Sequence, residues 1–224
     1  MKRKKKQKLL DFFTFPFRAL MLSEHDKWGL SSLRSERFDY VADEVKGYCL
    51  DVGCGRHNLF VREYLKGNGI GVDVFQYEGL EEDHVLEDIS QFPFDDDTFD
   101  SVTFIACINH VPNTLRNTEL REAYRCLKSH GNIIITMGNP FAEIMAHKVV
   151  SLYDSLFGTQ HDVDAVRGMA EGEDYYVRDS EIIYRLLRAG FMDVRKKYFL
   201  TQWGLNHLFV AWKRPMALTR RGTL

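Results

Sequence analysis

Apolar and polar positions change period repeatedly along this chain, and each change marks an element. Tyr48-Cys49-Leu50-Asp51-Val52 is a short, mostly apolar run that stops at Gly53, which predicts a buried strand closed by a glycine loop. Leu59, Val61, Tyr64 and Leu65 recur at helical spacing, and Gly67 ends that pattern. Gly69 to Val74 predicts a second strand, His84 to Ile89 a short third and Asp100 to Cys107 a fourth. Leu120, Ala123, Tyr124 and Leu127 return to helical spacing until Gly131, and Asn132 to Met137 predicts a fifth strand. Asp179-Ser180 reads as a helix N-cap ahead of an apolar face of Ile182, Ile183, Leu186 and Leu187, with Gly190 as the stop. Asp193 to Leu200 and Leu208 to Lys213 predict a closing antiparallel pair, and Ser23 to Val45 predicts a leading helix.

Strands alternating with helices define an α/β chain with a mostly parallel sheet of seven strands, covered on both faces. In such sheets ligands bind at the carboxyl ends of the strands, near the point where strand order reverses. The stretch from about residue 138 to 178 is too long for a simple connection and reads as a cap insertion, partly helical over Phe141 to Leu156 and then polar and acidic. The expected organisation is a basic and apolar appendage over 1–22, one catalytic domain over 23–214 and a tail over 215–224.

Charge sharpens this division. The net charge of −2 conceals six bases within the first eight residues; without them 24 bases face 32 acids, a balance of −8. An acidic body argues against a nucleic-acid-binding domain. The apolar run Leu9 to Leu22 is too short to span a bilayer and is interrupted by Asp11, Pro16 and Arg18. It also lacks the form of a signal peptide. Three readings of the head stay open: a solvated tail followed by a packing segment, an interfacial membrane anchor, or a nucleic-acid-binding arm. Cys49, Cys54, Cys107 and Cys126 show no C-x-x-C spacing, so neither a structural zinc site nor a disulfide framework is expected. A reduced, cytoplasmic chain, peripheral at the membrane if the head is an anchor, is the default.

Asp51-Val52-Gly53-Cys54-Gly55 follows the first strand, and Asp73 ends the second. The glycines let backbone approach a ligand, and the following helix N-terminus favours negative charge. A carboxylate at Asp73 suits a ribose diol. A dinucleotide fingerprint needs a third glycine where Asn58 stands. Asp51 would also sit badly beside a pyrophosphate and well beside a cationic amine or sulfonium. Both facts favour a nucleoside cofactor that carries a charged amino acid.

These residues resemble the class I S-adenosylmethionine-dependent methyltransferases of the small-molecule, type 11-like kind. The resemblance rests on the glycine loop, Asp73, Asp88-Ile89, Phe92 to Asp100, Asn109-His110-Val111, and the group Arg121, Arg125, Leu127, Lys128 and Gly131. It covers roughly residues 47 to 137, with an echo at Leu186 to Phe191. The family often has a further glycine where this chain has His57. The resemblance implies a Rossmann-like, doubly wound sheet and S-adenosyl-L-methionine as cofactor, with S-adenosyl-L-homocysteine as product. It further implies that Asp51 orients the cofactor's amino group, that backbone at Gly53, Cys54 and Gly55 holds the methionine end, and that Asp73 binds the ribose hydroxyls. Val74 would pack on the adenine, Asp88 accept from its amino group, and the Ile89 amide donate to a ring nitrogen. Ile105 and Ala106 would flank the methionine.

Methyl transfer needs a base only where the nucleophile holds its proton. His110 is the first candidate and His161, beside Asp162 and Asp164, the second; the plain alternative for His110 is a wall of the pocket. Tyr175 and Tyr176 are candidate lining for the substrate side, and no metal is expected. The leading reading is a methyltransferase acting on a small or lipid-linked acceptor. The alternative is a membrane-associated protein that binds the cofactor without turnover.

Overall fold

The computed structural model describes residues 3–21, 25–138 and 177–215. Its centre is a sheet of six strands: β1 (Cys49–Val52), β2 (Gly69–Val72), β3 (Phe99–Ile105), β4 (Leu127–Gly138), β5 (Phe191–Tyr198) and β6 (Asn206–Lys213). The order is β2-β1-β3-β4-β6-β5. The first four strands pair in parallel, while β6 runs antiparallel to both β4 and β5. The chain leaves β1 toward β2 on one side and returns to β3 on the other, so the reversal in strand order lies at β1. This is the mostly parallel α/β sheet that the sequence predicts, with its antiparallel closing pair.

The seventh expected strand is reduced to one bridge. Asp73 pairs with Val85 alone, through an amide hydrogen bond from Asp73 to the His84 carbonyl and another from Leu86 to the Asp73 carbonyl. Within His84 to Ile89 only Leu86 is buried, and Glu87 and Asp88 are exposed, so too little apolar surface faces inward to extend the pairing.

Both faces of the sheet are covered, which is why β1 and the middle of β4 are apolar almost throughout. On one face Leu50, Val52, Val102, Phe104, Ile133 and Ile135 pack under α3 (Arg116–Cys126) and a later helix, α4 (Asp179–Ala189). On the other, Cys49, Ile134 and Val210 pack against Val41 of α2 (Leu33–Ala42), Phe60 and Phe199. α4 ends at Gly190 with φ of 105°, as expected, but Arg178 occupies its N-cap. Asp179 lies in the first turn instead, and its carboxylate pairs with Lys196 and with His207 at 2.9 Å.

The segment after the glycine loop is not the regular helix expected there. Residues 56–58 form a 3₁₀ turn and Phe60–Tyr64 a single π-helical turn. His57 and Asn58 stand at φ of 63° and 46°, in the left-handed region, which breaks any continuous ladder. The aligned peptide dipoles of a long helix are therefore missing at this loop.

The head carries a helix, α1 (Lys5–Met21), joined to the body through its inward side. Asp11, Phe15 and Arg18 are buried along one stripe. Arg18 meets the buried Glu36 of α2 at 3.0 Å and donates to the Ser31 carbonyl at 2.8 Å. Asp11 accepts from the Ser31 hydroxyl at 2.9 Å. Arg18 is the nearer of two bases at Glu36, with Arg3 at 3.7 Å, and removing it strips a buried charge of its main partner. Arg18→Ala is therefore expected to lower the unfolding free energy by about 3 kcal/mol in urea titrations, whereas a free tail would leave it unchanged. No helix among the described residues is long and apolar enough to cross a membrane.

Candidate active site

The reversal point gathers acids and close backbone in one place. Asp51 lies in register between Gly71 of β2 and Thr103 of β3. The Thr103 hydroxyl donates to its carboxylate at 2.7 Å. The side is otherwise closed: a Cβ on Gly71 would fall 2.3 Å from Asn58 Oδ1, so the Asn58 side chain fills the space a side chain at 71 would need. Asn58 Oδ1 is itself buried without a hydrogen-bond partner. Burial, partly opposed by the Thr103 hydrogen bond and reinforced by nearby Asp73, pushes the Asp51 carboxyl up to about 7. A buried acid so disfavoured as an anion is suited to meet a cation.

Gly53 turns at φ of 74° and its amide donates to the Val72 carbonyl at 2.9 Å. A Cβ there would lie 2.4 Å from Cys107 Sγ, so only glycine lets the loop sit against the end of β3. Over Gly55, a Cβ would meet nothing within 4 Å, which leaves its backbone open to a ligand. The Gly55 amide donates to Asp73 Oδ2 at 2.9 Å and the Phe75 amide to Oδ1 at 3.2 Å. Asp73 is thus fastened at the tip of β2 facing the loop, and burial raises its carboxyl above the usual range despite these bonds. His57 takes the left-handed conformation that a glycine reaches without strain, which accounts for the glycine that the family often has there; an L side chain costs about 1–2 kcal/mol in it.

The remaining candidates divide. Ile105, half-buried, and Ala106 stand at the end of β3, where the Ala106 amide donates to Thr136 Oγ1 at 2.9 Å. Cys54 is buried in the loop, and its thiol is pushed well up by burial and the two acids. Val74 is half exposed just beyond Asp73. Asp88 is exposed and accepts from the Ser90 amide at 2.8 Å; hydrogen bonding from Ser90 holds its carboxyl below the usual range. Ile89 packs against the larger core. His110 closes the 3₁₀ turn Ile108–His110 after β3, its amide bonded to the Cys107 carbonyl at 2.8 Å. Asn109 Nδ2 stands 3.3 Å from His110 Nε2. His161, Asp162, Asp164, Tyr175 and Tyr176, with almost all of the cap, lie outside the described residues.

Three residues stand out here that the sequence reading left without a role. Cys107 touches the loop at Gly53, and its thiol is pushed far up by burial first and then by Glu119, Asp73 and Asp51, so the acids converge on it. Such a thiol is no nucleophile. Glu119 of α3 is buried, its Oε2 has no hydrogen-bond partner, and burial pushes its carboxyl up to about 8. Arg116 is also buried and donates to the carbonyls of Val111 at 2.8 Å and Asn109 at 3.2 Å, tying the His110 segment to α3. A charged residue early in an amphipathic helix reads as solvent-facing, so only the fold could reveal the last two.

The glycine loop, Asp51 and Asp73 on adjacent strands and the reversal at β1 fit a class I S-adenosylmethionine-dependent methyltransferase, and the comparisons support that class. Residues 50–135 match the family described as "Methyltransferase domain". The chain is 28% identical over 190 residues to the ubiquinone/menaquinone biosynthesis C-methyltransferase UbiE of Desulfotalea psychrophila, a match covering 74% of this chain and 76% of that protein. Its fold is similar to that of a S-adenosylmethionine-dependent methyltransferase from Thermotoga maritima, with a TM-score of 0.57, 14% identity, and coverage of 93% of this chain and 98% of that one. The [4+2]-cyclase SpnF shares the fold as well, at a TM-score of 0.55 and 14% identity, over 96% and 97% of the two chains. The enzyme uses S-adenosylmethionine as its cofactor.

Proposed function

We propose that this chain transfers a methyl group from S-adenosylmethionine to a small-molecule or lipid-linked acceptor. The observation that carries the reading is its 28% identity, over 190 residues, to a C-methyltransferase named for quinone biosynthesis. The acidic body, −8 outside the first eight residues, supports it by disfavouring a polyanionic acceptor. Bound S-adenosylmethionine supplies an electrophilic methyl on a sulfonium, so the protein's task is to position and desolvate.

In this reading Asp51 receives the ligand's ammonium, directly or through water, and ionises as it does so. The fit is supported by its burial and by its raised carboxyl. The backbone at Gly53, Cys54 and Gly55 holds the methionine end, with the open space over Gly55 as the point of approach. Asp73 keeps acceptor capacity for the ribose diol beyond its two amide bonds. Val74, Asp88 and Ile89 border the adenine, and Ile105 and Ala106 border the methionine. His110, on the segment tied down by Arg116, takes the acceptor's proton where the acceptor carries one.

Incubating labelled cofactor with enzyme and cell extract, then partitioning into organic solvent, tests the acceptor class. Label in organic-soluble small molecules is the expected result, and label confined to protein or nucleic acid would overturn it. His110→Gln is expected to lower kcat about 100-fold with unchanged cofactor affinity; an unchanged kcat would leave His110 as a wall of the pocket.

A further inference from the structure

The helix α1 is inside out. In a helix on a water-facing surface the apolar stripe turns to the core and the polar residues to solvent. Here the inward stripe at positions i, i+4 and i+7 is Asp11, Phe15 and Arg18, all buried, with Arg18 paired to Glu36 at 3.0 Å and Asp11 facing Arg3 at 3.8 Å and the Ser31 hydroxyl at 2.9 Å. The outward face carries Leu9 at 61%, Phe12 at 40%, Phe13 at 70% and Phe17 at 52% exposure. Leu9, Phe13 and Phe17 follow at intervals of four, so they form one continuous row. Trp203 and Leu200, from the turn after β5 that packs beside α1, are also exposed, at 53% and 71%. The Trp203 indole donates to the Phe12 carbonyl at 2.9 Å and its ring lies 5.5 Å from that of Phe15. The apolar surface therefore belongs to the folded body and not to a loose end. Exposed contiguous apolar patches of this kind mark interaction sites.

Charge indicates what covers it. Lys4, Lys5, Lys6 and Lys8 are exposed at the N-terminal end of the same helix, and no acid lies among them. Lys5 and Lys6 project on the arc that carries Leu9 and Phe13, given about 100° per residue. An apolar row with aromatic residues, led by lysines and held parallel to the protein surface, matches the anatomy of an interfacial helix. We infer that α1, with Trp203 and Leu200, docks this protein onto an anionic lipid surface, with its rings at the headgroup and acyl boundary and its lysines against the headgroups. Fastening through Arg18 and Asp11 fixes how the body sits on that surface. The inference is independent of the methyl acceptor and is tested without turnover.

The test is flotation of the full-length protein with vesicles of phosphatidylcholine alone or mixed with phosphatidylglycerol, alongside Trp203 fluorescence. The expected result is binding to the anionic vesicles, weakened by salt, with a blue shift of emission that disappears in Trp203→Phe. Phe13→Glu/Phe17→Glu and Lys5→Glu/Lys6→Glu are each expected to reduce the bound fraction about tenfold or more. Both pairs are exposed, so thermal unfolding and cofactor binding serve as controls that should not change. Absence of vesicle binding, or binding indifferent to both pairs, would overturn the inference. So would a loss of thermal stability in the phenylalanine pair, or a dimer that this pair abolishes, since either outcome would mean that the chain itself or a second copy covers the face.

Discussion

Asp73→Ala is expected to weaken S-adenosylmethionine binding about 100-fold or more in calorimetric titration, equivalent to about 2.7 kcal/mol. In the proposed function the carboxylate has two duties at once. It accepts from the Gly55 amide at 2.9 Å and from the Phe75 amide at 3.2 Å, which holds the loop closed on β2. An ionised carboxylate offers about four acceptor positions, so capacity is left for two ribose hydroxyls. Charge-assisted hydrogen bonds contribute about 1.5–3 kcal/mol each, and alanine removes those to the ligand together with the anchor of the loop. Asp73→Asn separates the two duties: it keeps an acceptor for one amide but loses the charge, and it should fall between wild type and alanine. Equal affinity in all three proteins would remove Asp73 from the site.

Asp51→Asn is expected to make the protein more stable and its cofactor binding weaker. The Asp51 carboxyl rises from 3.8 to about 7 on folding because it is buried. The folded protein therefore keeps a proton that the unfolded chain releases, and stability falls as pH rises from about 4 to 7 before levelling off. Asparagine has no charge to bury at any pH and can still accept from the Thr103 hydroxyl. Above about pH 7 the variant should gain about 4 kcal/mol, and the gain should vanish below about pH 4. Urea unfolding at the two extremes measures it. Stability gained together with binding lost is the mark of a group kept for function. A variant less stable than wild type near pH 8 would instead make Asp51 a structural residue.

The parallel core was legible because its strands are nearly continuous apolar runs ended by glycine or an acid. Cys49 to Val52 and Ile133 to Ile135 could not be placed elsewhere. Gly190 stopped α4 for the reason that glycines stop helices, a left-handed φ. The third strand misled because Val85, Leu86 and Ile89 are apolar, yet only Leu86 is fully buried. The helix after the loop misled because apolar spacing reports which residues face the core and not whether the backbone between them is regular; His57 and Asn58 are left-handed there. Asp51, Gly53, Gly55 and Asp73 were readable through their order along two strands. Glu119 and Arg116 were not, since their burial depends on α3 packing on the sheet and against α4, the latter distant in sequence. The orientation of α1 was hidden for a similar reason. Its inward side is defined by Glu36, Ser31 and the Thr201 carbonyl, which no local pattern around residues 5–21 records.

In the proposed function the cofactor's cationic amino acid seats against Asp51. Calorimetric titration of S-adenosylmethionine at about pH 6, in two buffers of different ionisation enthalpy, tests it most directly. Below about 7 the free protein holds Asp51 protonated, and an arriving ammonium drives it to ionise. The predicted result is a binding heat that differs between the buffers by the release of up to about one proton per site, a difference that fades by about pH 8. Binding heat that is the same in both buffers at about pH 6, or no binding at all, would contradict the account.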